Sequence, residues 1–129
     1  MTKDKRAFEN LEVYRLAEKL ADQAWDMVLD WTNLARDTFG KQLIRSADSI
    51  GANIAEGAGR GSFQDNRRFI RIARGSLNET RHWLRRAYKR GFVNEEMSRR
   101  LKLILDELAT RLNDYLKSIG SRHEEANDQ

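Results

Sequence analysis

Apolar residues recur at intervals of three or four positions along most of this chain, and no proline interrupts them. In an α-helix that spacing gathers the side chains on one side, and no segment shows the alternation typical of a β-strand. The predicted helices are Phe8–Trp31, a second from near Phe39 into a glycine-rich segment, a third from Phe63 to Gly91, and a fourth from Asn94 to Ile119. Four such helices with short connections predict an all-α fold, an antiparallel up-down-up-down four-helix bundle.

The inward positions of these helices form the predicted core. They are Val13, Ala17, Leu20, Ala24, Met27, Val28 and Trp31, then Phe39, Leu43, Ala47, Ile50 and Ile54, then Phe69, Ala73, Ser76, Leu77, Thr80, Leu84 and Ala87, and finally Met97, Leu101, Ile104, Leu105, Leu108, Leu112, Tyr115, Leu116 and Ile119. A second apolar set on the first helix, Tyr14, Ala21 and Trp25, lies about 100° around from the first set. This second set predicts either a wide core face or a subunit interface.

Capping patterns mark where the predicted helices begin and end. The predicted boundary residues are Asn33 and Asp37 as caps in a loop over Thr32–Thr38, Ser62 and Asp65 as a capping box before the third helix, Gly91 as a left-handed helix end, and Asn94 as the N-cap of the fourth helix. The connections are therefore short, as a bundle requires.

The chain of 129 residues predicts a single domain, 1–129, with frayed tails at 1–7 and 120–129. Cysteine is absent, which excludes disulfides and cysteine-ligated metals. The first residues contain no apolar run like that of a signal peptide, and no stretch of about 18 consecutive apolar residues occurs. We therefore expect a soluble protein of the cytoplasm, without membrane contact.

The segment SIGANIAEGAGRGS, residues 49–62, places four glycines where each costs roughly 0.5–1 kcal/mol in a helix interior. Small residues recur there at every fourth position, namely Ala47, Gly51 and Ala55. Small side chains let another helix approach closely, and tighter packing offsets the cost of glycine. The spacing therefore predicts a small-residue ridge on the second helix.

The second half of this segment has a different predicted role. Gly57, Gly59 and Gly61 are expected to end the second helix and permit the turn into the third. Asn53 and Glu56 are polar residues beside the ridge. They predict either exposed or turn-bonded polar groups, or a buried polar contact that fixes the turn or an oligomer interface.

Positive charge is concentrated in the third predicted helix. The whole chain has a net charge of +4, whereas residues 65–90 alone contain nine basic and two acidic side chains. At about 100° per residue, six of these basic residues fall in line on the side away from the core, if Phe69 marks the core direction. This basic stripe consists of Arg67, Arg71, Arg74, Arg81, Arg85 and Lys89, and Asn78 and His82 complete it.

Like charges in a row repel one another, so the basic stripe requires a counter-charge. One interpretation is a nucleic acid, RNA or DNA, whose phosphates the stripe contacts with release of counterions. The alternative is a solvated face that pairs with the first and fourth helices, each of which is net acidic. Arginine suits phosphates and carboxylates alike, so the residue choice leaves both open. No pattern of sequence-specific base reading is present.

Catalytic chemistry has little support in the sequence. His82 and His123 lie in no metal-ligand or nucleophile spacing. Ser46, Asp48 and Ser49 face different directions on a helix, without a base to serve them. The run GAGRGS lacks the Gly-Lys-Ser/Thr ending of a nucleotide P-loop, and no predicted strand precedes it. We therefore expect no enzymatic activity, no metal and no cofactor.

Two longer runs, RSADSIGANIAEGAGRGS and RFIRIARGSLNETRHWL, resemble the four-helix-bundle proteins encoded by intervening sequences in bacterial 23S ribosomal RNA genes, also called the S23 ribosomal protein family. The opening FENLEVYRLAEKLA is similar to the first helix of that family, and the resemblance covers Phe8–Ile119. The residues that carry it are Ser49, Ile50, Asn53, Ile54, Ala55, Glu56, Gly57, Arg60, Phe69, Ala73, Gly75, Ser76, Leu77 and Glu79.

The resemblance implies an antiparallel bundle that assembles as a ring-like homopentamer, with no established enzyme activity. A related branch is the accessory protein of diversity-generating retroelements, a pentameric barrel whose basic surface is associated with nucleic acid and with a reverse transcriptase. The leading hypothesis is therefore a non-enzymatic homo-oligomer that binds nucleic acid, RNA foremost, without sequence preference through the basic stripe. The alternative is a scaffold for protein interactions, including an accessory subunit for a reverse transcriptase.

Overall fold

The computed structural model describes residues 7–121, in which every regular element is a helix and no strand occurs. The four long helices are α1, Glu12–Leu29; α2, Lys41–Ala58; α3, Phe63–Lys89; and α4, Glu95–Ser118. A short 3-10 helix, Phe8–Asn10, precedes α1. The first predicted helix is therefore divided, because Leu11 adopts an extended conformation between the two pieces.

The four helices pack around one core, in which each helix contacts two of the others: α1 and α3 both contact α2 and α4. Most of the predicted inward positions are buried, which confirms the spacing argument. The largest fully buried side chains include Leu20, Leu43, Ile50, Ile54, Leu77, Leu101, Leu105, Leu108 and Leu112. Met27, Ser76, Met97, Tyr115 and Leu116 are only partly buried, at the margins of this core.

One predicted core residue of α3 is wrong. Phe69 is only partly buried, and its neighbour Ile70 is 1% exposed in the core. The ring of Phe69 lies between two guanidinium groups, with Arg60 at 4.8 Å and Arg68 at 4.6 Å from its centroid. Cations favour the face of an aromatic ring. The ring of Phe69 therefore packs against charged side chains at the edge of the contact between α2 and α3. The core side of α3 is therefore rotated toward Ile70.

The predicted loop over Thr32–Thr38 is mostly helical. Asn33–Ala35 forms one α-helical turn, and Arg36–Gly40 forms a π-helical segment that runs directly into α2. No side chain caps either piece, so the predicted caps Asn33 and Asp37 are wrong.

Aromatic packing explains why this connection stays helical. The ring of Phe39 lies 5.3 Å from that of Trp31 and 5.4 Å from that of Phe92, and the Trp31 and Phe92 rings are 5.5 Å apart. Tilted aromatic pairs at these separations are favourable beyond their buried area. Sequence spacing alone does not reveal this cluster, because Phe92 comes from the distant α3–α4 connection.

The remaining helix boundaries agree with the sequence. The Ser62 hydroxyl accepts a hydrogen bond from the Asp65 amide at 3.1 Å, and α3 begins at the next residue. The Asn94 side chain accepts from the Met97 amide at 2.8 Å and caps α4. Gly91 adopts φ 82°, the left-handed conformation expected after a helix.

Gly57 is the last residue but one of α2, close to the helix end where the sequence places it, and it also has a packing role. Within residues 7–121, positive φ occurs only at Gly91 and Gly120, so Gly59 and Gly61 make the turn with ordinary angles. A Cβ at Gly57 would lie 2.7 Å from Asn66 Oδ1 and 3.0 Å from the Phe69 Cβ. Only a residue without a side chain lets α2 and α3 approach this closely.

The small-residue ridge of α2 faces α1, as the spacing predicts for a helix contact. Ala47 and Gly51 are buried, and Ala55 is partly buried. A Cβ at Gly51 would lie 3.4 Å from Tyr14 Cε2, which is ordinary van der Waals contact. The ridge therefore packs closely without the tight approach seen at Gly57.

Gly120, assigned by sequence to the tail, is buried, and its Cβ position lies 3.0 Å from the Phe63 ring. This residue belongs to the packed bundle. The other parts of the predicted tails, residues 1–6 and 122–129, lie outside the described residues. Among the described helices, none is both long and apolar enough to cross a membrane.

Candidate nucleic-acid interface

The basic stripe on α3 consists of two rows rather than one. The inner row is Arg67, Arg74 and Arg81, seven residues apart, and it reaches α4. Their guanidinium groups donate to the Ile119 carbonyl at 2.8 Å, to the Asn113 amide oxygen at 3.3 Å, and to the Asp106 carboxylate at 2.9 Å. The inner row therefore helps to join α3 to α4.

The outer row is Arg71, Arg85 and Lys89, and all three side chains are exposed. Within residues 7–121, none of the three forms a hydrogen bond or a salt bridge with another side chain. Asn78 and His82 are exposed along the same face, as predicted. The outer row is thus the part of the stripe with unsatisfied charge.

The division into rows follows from the correction at Phe69. Because Ile70 and not Phe69 points into the core, the whole stripe is rotated toward α4 by roughly half of the 100° helical step. Arg74 and Arg81 then meet the neighbouring helix, whereas Arg71 and Lys89 face outward. Arg67 and Arg85 lie at the same helical angle, about five turns apart, and Arg67 joins the inner row because the Ile119 carbonyl is within 2.8 Å. The sequence placed all six residues on one side of α3 correctly but could not separate them.

Acidic residues of α1 and α4 neutralise little of this stripe. Arg81 pairs with Asp106, but other carboxylates of these helices pair elsewhere. Arg111 of α4 bonds Glu12 of α1 at 2.6 Å and Glu107 at 3.1 Å. Exposed pairs of this kind contribute about 0–1 kcal/mol each. The outer row therefore has no paired carboxylate in the part of the chain that the structure describes.

A groove of about 310 Å³ runs between α3 and α4 at the end of the stripe. Its floor is apolar, with Leu84 and Leu105 almost fully buried. The polar residues that line it are Arg81, Arg85, Tyr88, Lys89, Ser98, Lys102 and Asp106. Sequence reasoning missed Lys102, because α4 is net acidic overall and only its register against α3 brings this lysine beside the stripe.

A second groove, of about 380 Å³, lies between α1 and α2 over the small-residue ridge. The carboxylates of Glu18, Asp22 and Asp48 line it. Partial burial raises the pKa of Asp48, and the carboxylate of Asp22 raises it further. Trp25, one helical turn along α1 from Asp22, is 51% exposed. Tyr14 and Ala21 pack against the core, as a wide core face predicts, whereas Trp25 does not. The subunit interface stays a prediction.

A family model for the 23S rRNA-intervening sequence protein matches residues 9–114. The chain belongs to this family. No curated protein matches the sequence.

One structure of this family shares the fold. It is the crystal structure of a protein with unknown function from the S23 ribosomal protein family of Bacteroides thetaiotaomicron, with TM-score 0.73 and 23% sequence identity over 82% of this chain and 99% of that one. At this identity the likeness establishes a shared fold alone.

Several of the residues by which the chain resembles the intervening-sequence family form a polar seam between α2 and α3. Ser49 and Ser76 share a hydrogen bond at 3.0 Å, and Thr80 donates to Ser46 at 3.0 Å. The Asn53 amide donates back to the Ser49 carbonyl at 2.8 Å, within its own helix. Of the residues that carry the resemblance, Ser49 and Ser76 therefore link α2 to α3.

Glu56, the other polar residue of this segment, has an exposed role. Its carboxylate accepts from Arg60 at 2.7 Å, four residues later in the chain. Both side chains are largely exposed, so the pair contributes little to stability. Of the two predictions made for Asn53 and Glu56, exposed or locally bonded polar groups describe the structure better than a buried contact at the turn.

Proposed function

We propose that this member of the 23S rRNA-intervening sequence protein family is a non-enzymatic, cytoplasmic protein that binds nucleic acid, RNA foremost, through the outer row of α3. The observation that carries the proposal is the outer row itself: Arg71, Arg85 and Lys89 are exposed on one face, without a carboxylate partner among residues 7–121. Aligned cations of this kind contact phosphates and release counterions. Because they contact phosphates and no base edges, we expect little sequence preference.

We further propose that the four helices are antiparallel neighbours in chain order. Support comes from contacts near opposite helix ends: Glu12 at the start of α1 bonds Arg111 in the last third of α4. Likewise Gly57 near the end of α2 meets Asn66 near the start of α3. In this arrangement α3 presents its entire outer row on one uninterrupted surface.

Assembly into a homo-oligomer, with five copies as the expected number, belongs to the same proposal. Its support is twofold: the groove between α1 and α2 is lined by the carboxylates of Asp22 and Asp48, and Trp25, one helical turn along α1 from Asp22, is 51% exposed. A large exposed aromatic residue beside a groove is typical of interaction surfaces. Each additional copy repeats the outer row, which increases the avidity for a long polyanion.

The test is a measurement of affinity for structured RNA and for duplex DNA as a function of salt. We expect Arg71→Glu together with Arg85→Glu to weaken binding by at least about tenfold at low salt and to reduce the salt slope by roughly two. The matched control is Lys19→Glu together with Lys41→Glu, the same charge change at exposed sites on α1 and α2. Negligible binding by the unmodified protein at low salt, or equal losses in both double variants, would contradict the proposal.

A second candidate function is a scaffold, including an accessory subunit for a reverse transcriptase, and the acidic groove between α1 and α2 favours it. In such a scaffold, the outer row of one copy pairs with Glu18, Asp22 and Asp48 of a neighbouring copy. In that case the Arg71→Glu and Arg85→Glu variant dissociates the assembly in light scattering, even without nucleic acid. Under the first proposal the variant keeps its mass and loses only nucleic-acid affinity.

A further inference from the structure

The groove between α3 and α4 has the size and shape of a small ligand site. Its volume of about 310 Å³ lies at the lower end of the range of roughly 300–1,000 Å³ typical of such sites. Leu84 and Leu105 form an apolar floor, and Ser98, which is 5% exposed, adds a hydroxyl residue to the lining. A site of this size accommodates one nucleotide unit and no large cofactor.

The charge at the rim of the groove is unbalanced. Four cationic residues line it, Arg81, Arg85, Lys89 and Lys102, against the single carboxylate of Asp106. That carboxylate already bonds Arg81 at 2.9 Å. Arg85, Lys89 and Lys102 form no salt bridge with any residue in the described part of the chain.

This surplus exceeds what one internal phosphate of a strand can neutralise. A phosphodiester carries one negative charge, whereas a terminal phosphate monoester carries about −1.5 to −2 at neutral pH and offers three acceptor oxygens. Charge-assisted hydrogen bonds from arginine and lysine suit such a group. The rim is therefore better matched to the phosphorylated end of a strand than to its middle.

An aromatic side chain lies at the other edge of the groove. Tyr88 is 36% exposed, and its hydroxyl donates to Glu95 at 3.4 Å, a contact that orients the ring. Tyr88, Ser98 and Lys102 also line an adjoining recess of about 280 Å³. An exposed tyrosine beside a cationic groove is a surface on which a nucleic-acid base stacks.

We propose that the groove between α3 and α4 binds a nucleoside phosphate presented by the phosphorylated end of a nucleic-acid strand. Arg85, Lys89 and Lys102 hold the terminal phosphate, and the base lies against Tyr88. This inference rests on the proposed function, since Arg71, the member of the outer row outside the groove, contacts the strand beyond its end, but it adds a preference for strand ends. A free nucleoside monophosphate shares the same chemistry and is the second source to be distinguished.

The experiment compares one short single-stranded RNA in three forms: with a 5′-phosphate, with a 3′-phosphate, and with hydroxyls at both ends. Fluorescence anisotropy with an internal label gives the affinity of each for the full chain. We expect one of the phosphorylated forms to bind about tenfold more tightly than the hydroxyl form, the value of one strong charge-assisted hydrogen bond. Equal affinity for all three forms overturns the inference and leaves the proposed function standing. Failure of even the hydroxyl form to bind at low salt contradicts the proposed function instead.

Two pairs of variants assign the preference to this groove. Lys102→Ala should remove most of the preference for the phosphorylated end, whereas Lys117→Ala, the same change at an exposed position of α4 outside the groove, should keep it. Tyr88→Ala should lower affinity by about fivefold, the equivalent of one base stack, while Tyr88→Phe keeps the ring and the affinity. A preference that survives Lys102→Ala overturns the placement.

Competition with adenosine monophosphate distinguishes the two sources of the phosphate. We expect the free nucleotide to displace the phosphorylated RNA only at concentrations far above that of the RNA, because it lacks the contacts that the rest of the strand makes with Arg71, outside the groove. Displacement at concentrations comparable with that of the RNA overturns the assignment to strand ends and makes the free nucleotide the ligand.

Discussion

Gly57, near the end of α2, and Gly75, in the middle of α3, have opposite surroundings. The space beside Gly57 is filled by Asn66 and Phe69 of α3, whereas nothing lies within 4 Å of a Cβ at Gly75. Only the first glycine is therefore required by packing. The second keeps its backbone open on the outward side of α3, between the arginines of the stripe.

We expect Gly57→Ala to destabilise the fold by about 1–3 kcal/mol, since the added methyl group forces α2 away from α3. Gly75→Ala is the matched control, and it should stabilise by about 0.5–1 kcal/mol because alanine restricts the unfolded chain and favours the helix. Urea denaturation of both variants measures the difference. Equal effects of the two substitutions would contradict the close approach at Gly57.

The charged form of Asp48 lowers the stability of the folded state. Burial raises its pKa, and Asp22 raises it further, so the folded state binds this proton more tightly than the unfolded chain. The associated stability is complete below the unfolded pKa of about 3.9 and is lost as pH rises through the raised pKa.

We therefore expect Asp48→Asn to raise Tm at neutral pH and to leave it nearly unchanged at about pH 3, where the native carboxyl group is protonated. Asp22→Asn removes the second cause of the raised pKa and should raise Tm at neutral pH by a smaller amount. Thermal melts across this pH range check both variants. A lower Tm for Asp48→Asn at neutral pH would show that the carboxylate has a stabilising partner.

At the scale of the helices, the polar seam links α2 and α3 through hydroxyl groups. Thr80 is almost fully buried and donates to Ser46 at 3.0 Å, while the Ser46 hydroxyl also bonds the Leu43 carbonyl at 3.1 Å. A buried hydroxyl that loses its partner pays a desolvation cost. The two residues should therefore depend on each other.

A double-mutant cycle tests this dependence. We expect Thr80→Val and Ser46→Ala each to cost about 1 kcal/mol of unfolding free energy, and the double variant to cost less than the sum, because each single variant already loses the bond between the two hydroxyls, which the double variant loses only once. Additive costs would show that the seam is a set of independent contacts. The control pair is Thr80→Val with Thr110→Val, since Thr110 is exposed on α4 and bonds only its own helix.

Periodicity predicted the helices because one buried stripe per helix is a local property of sequence. Periodicity failed in two places, because a contact between residues distant in the sequence determines the local structure there. The connection before α2 is helical because Phe39 packs against Trp31 and Phe92, and no local pattern reveals Phe92 as their neighbour. On α3, Phe69 and Ile70 are both apolar, and only the arginines on either side of Phe69 mark it as the edge residue.

For the molecule as a whole, the six basic residues of α3 could be assigned to one side of the helix from spacing alone. Their division into two rows, and the position of Lys102 in the groove, depend on the register of α4 against α3. The register of α4 against α3 arises from side-chain packing across the whole core, so local sequence patterns do not predict it.

The proposed assembly into a homo-oligomer can be tested by substituting one exposed residue. We expect Trp25→Glu to reduce the assembly to monomers in size-exclusion chromatography with light scattering, because a charge replaces an aromatic contact at the proposed interface. The fold itself should persist, since Trp25 is 51% exposed in the single chain. Leu103→Glu, at a 68% exposed residue of α4, is the control and should leave the mass unchanged.

The placement of the three tryptophans gives the protein a built-in set of optical reporters. Trp31 lies in the buried aromatic cluster, Trp25 lies on the face proposed for assembly, and Trp83 packs 4.7 Å from His82 on the basic stripe. Variants that keep one tryptophan at a time would then emit from a single known location. Their fluorescence would follow folding, subunit association and nucleic-acid binding as three separate signals in the same protein.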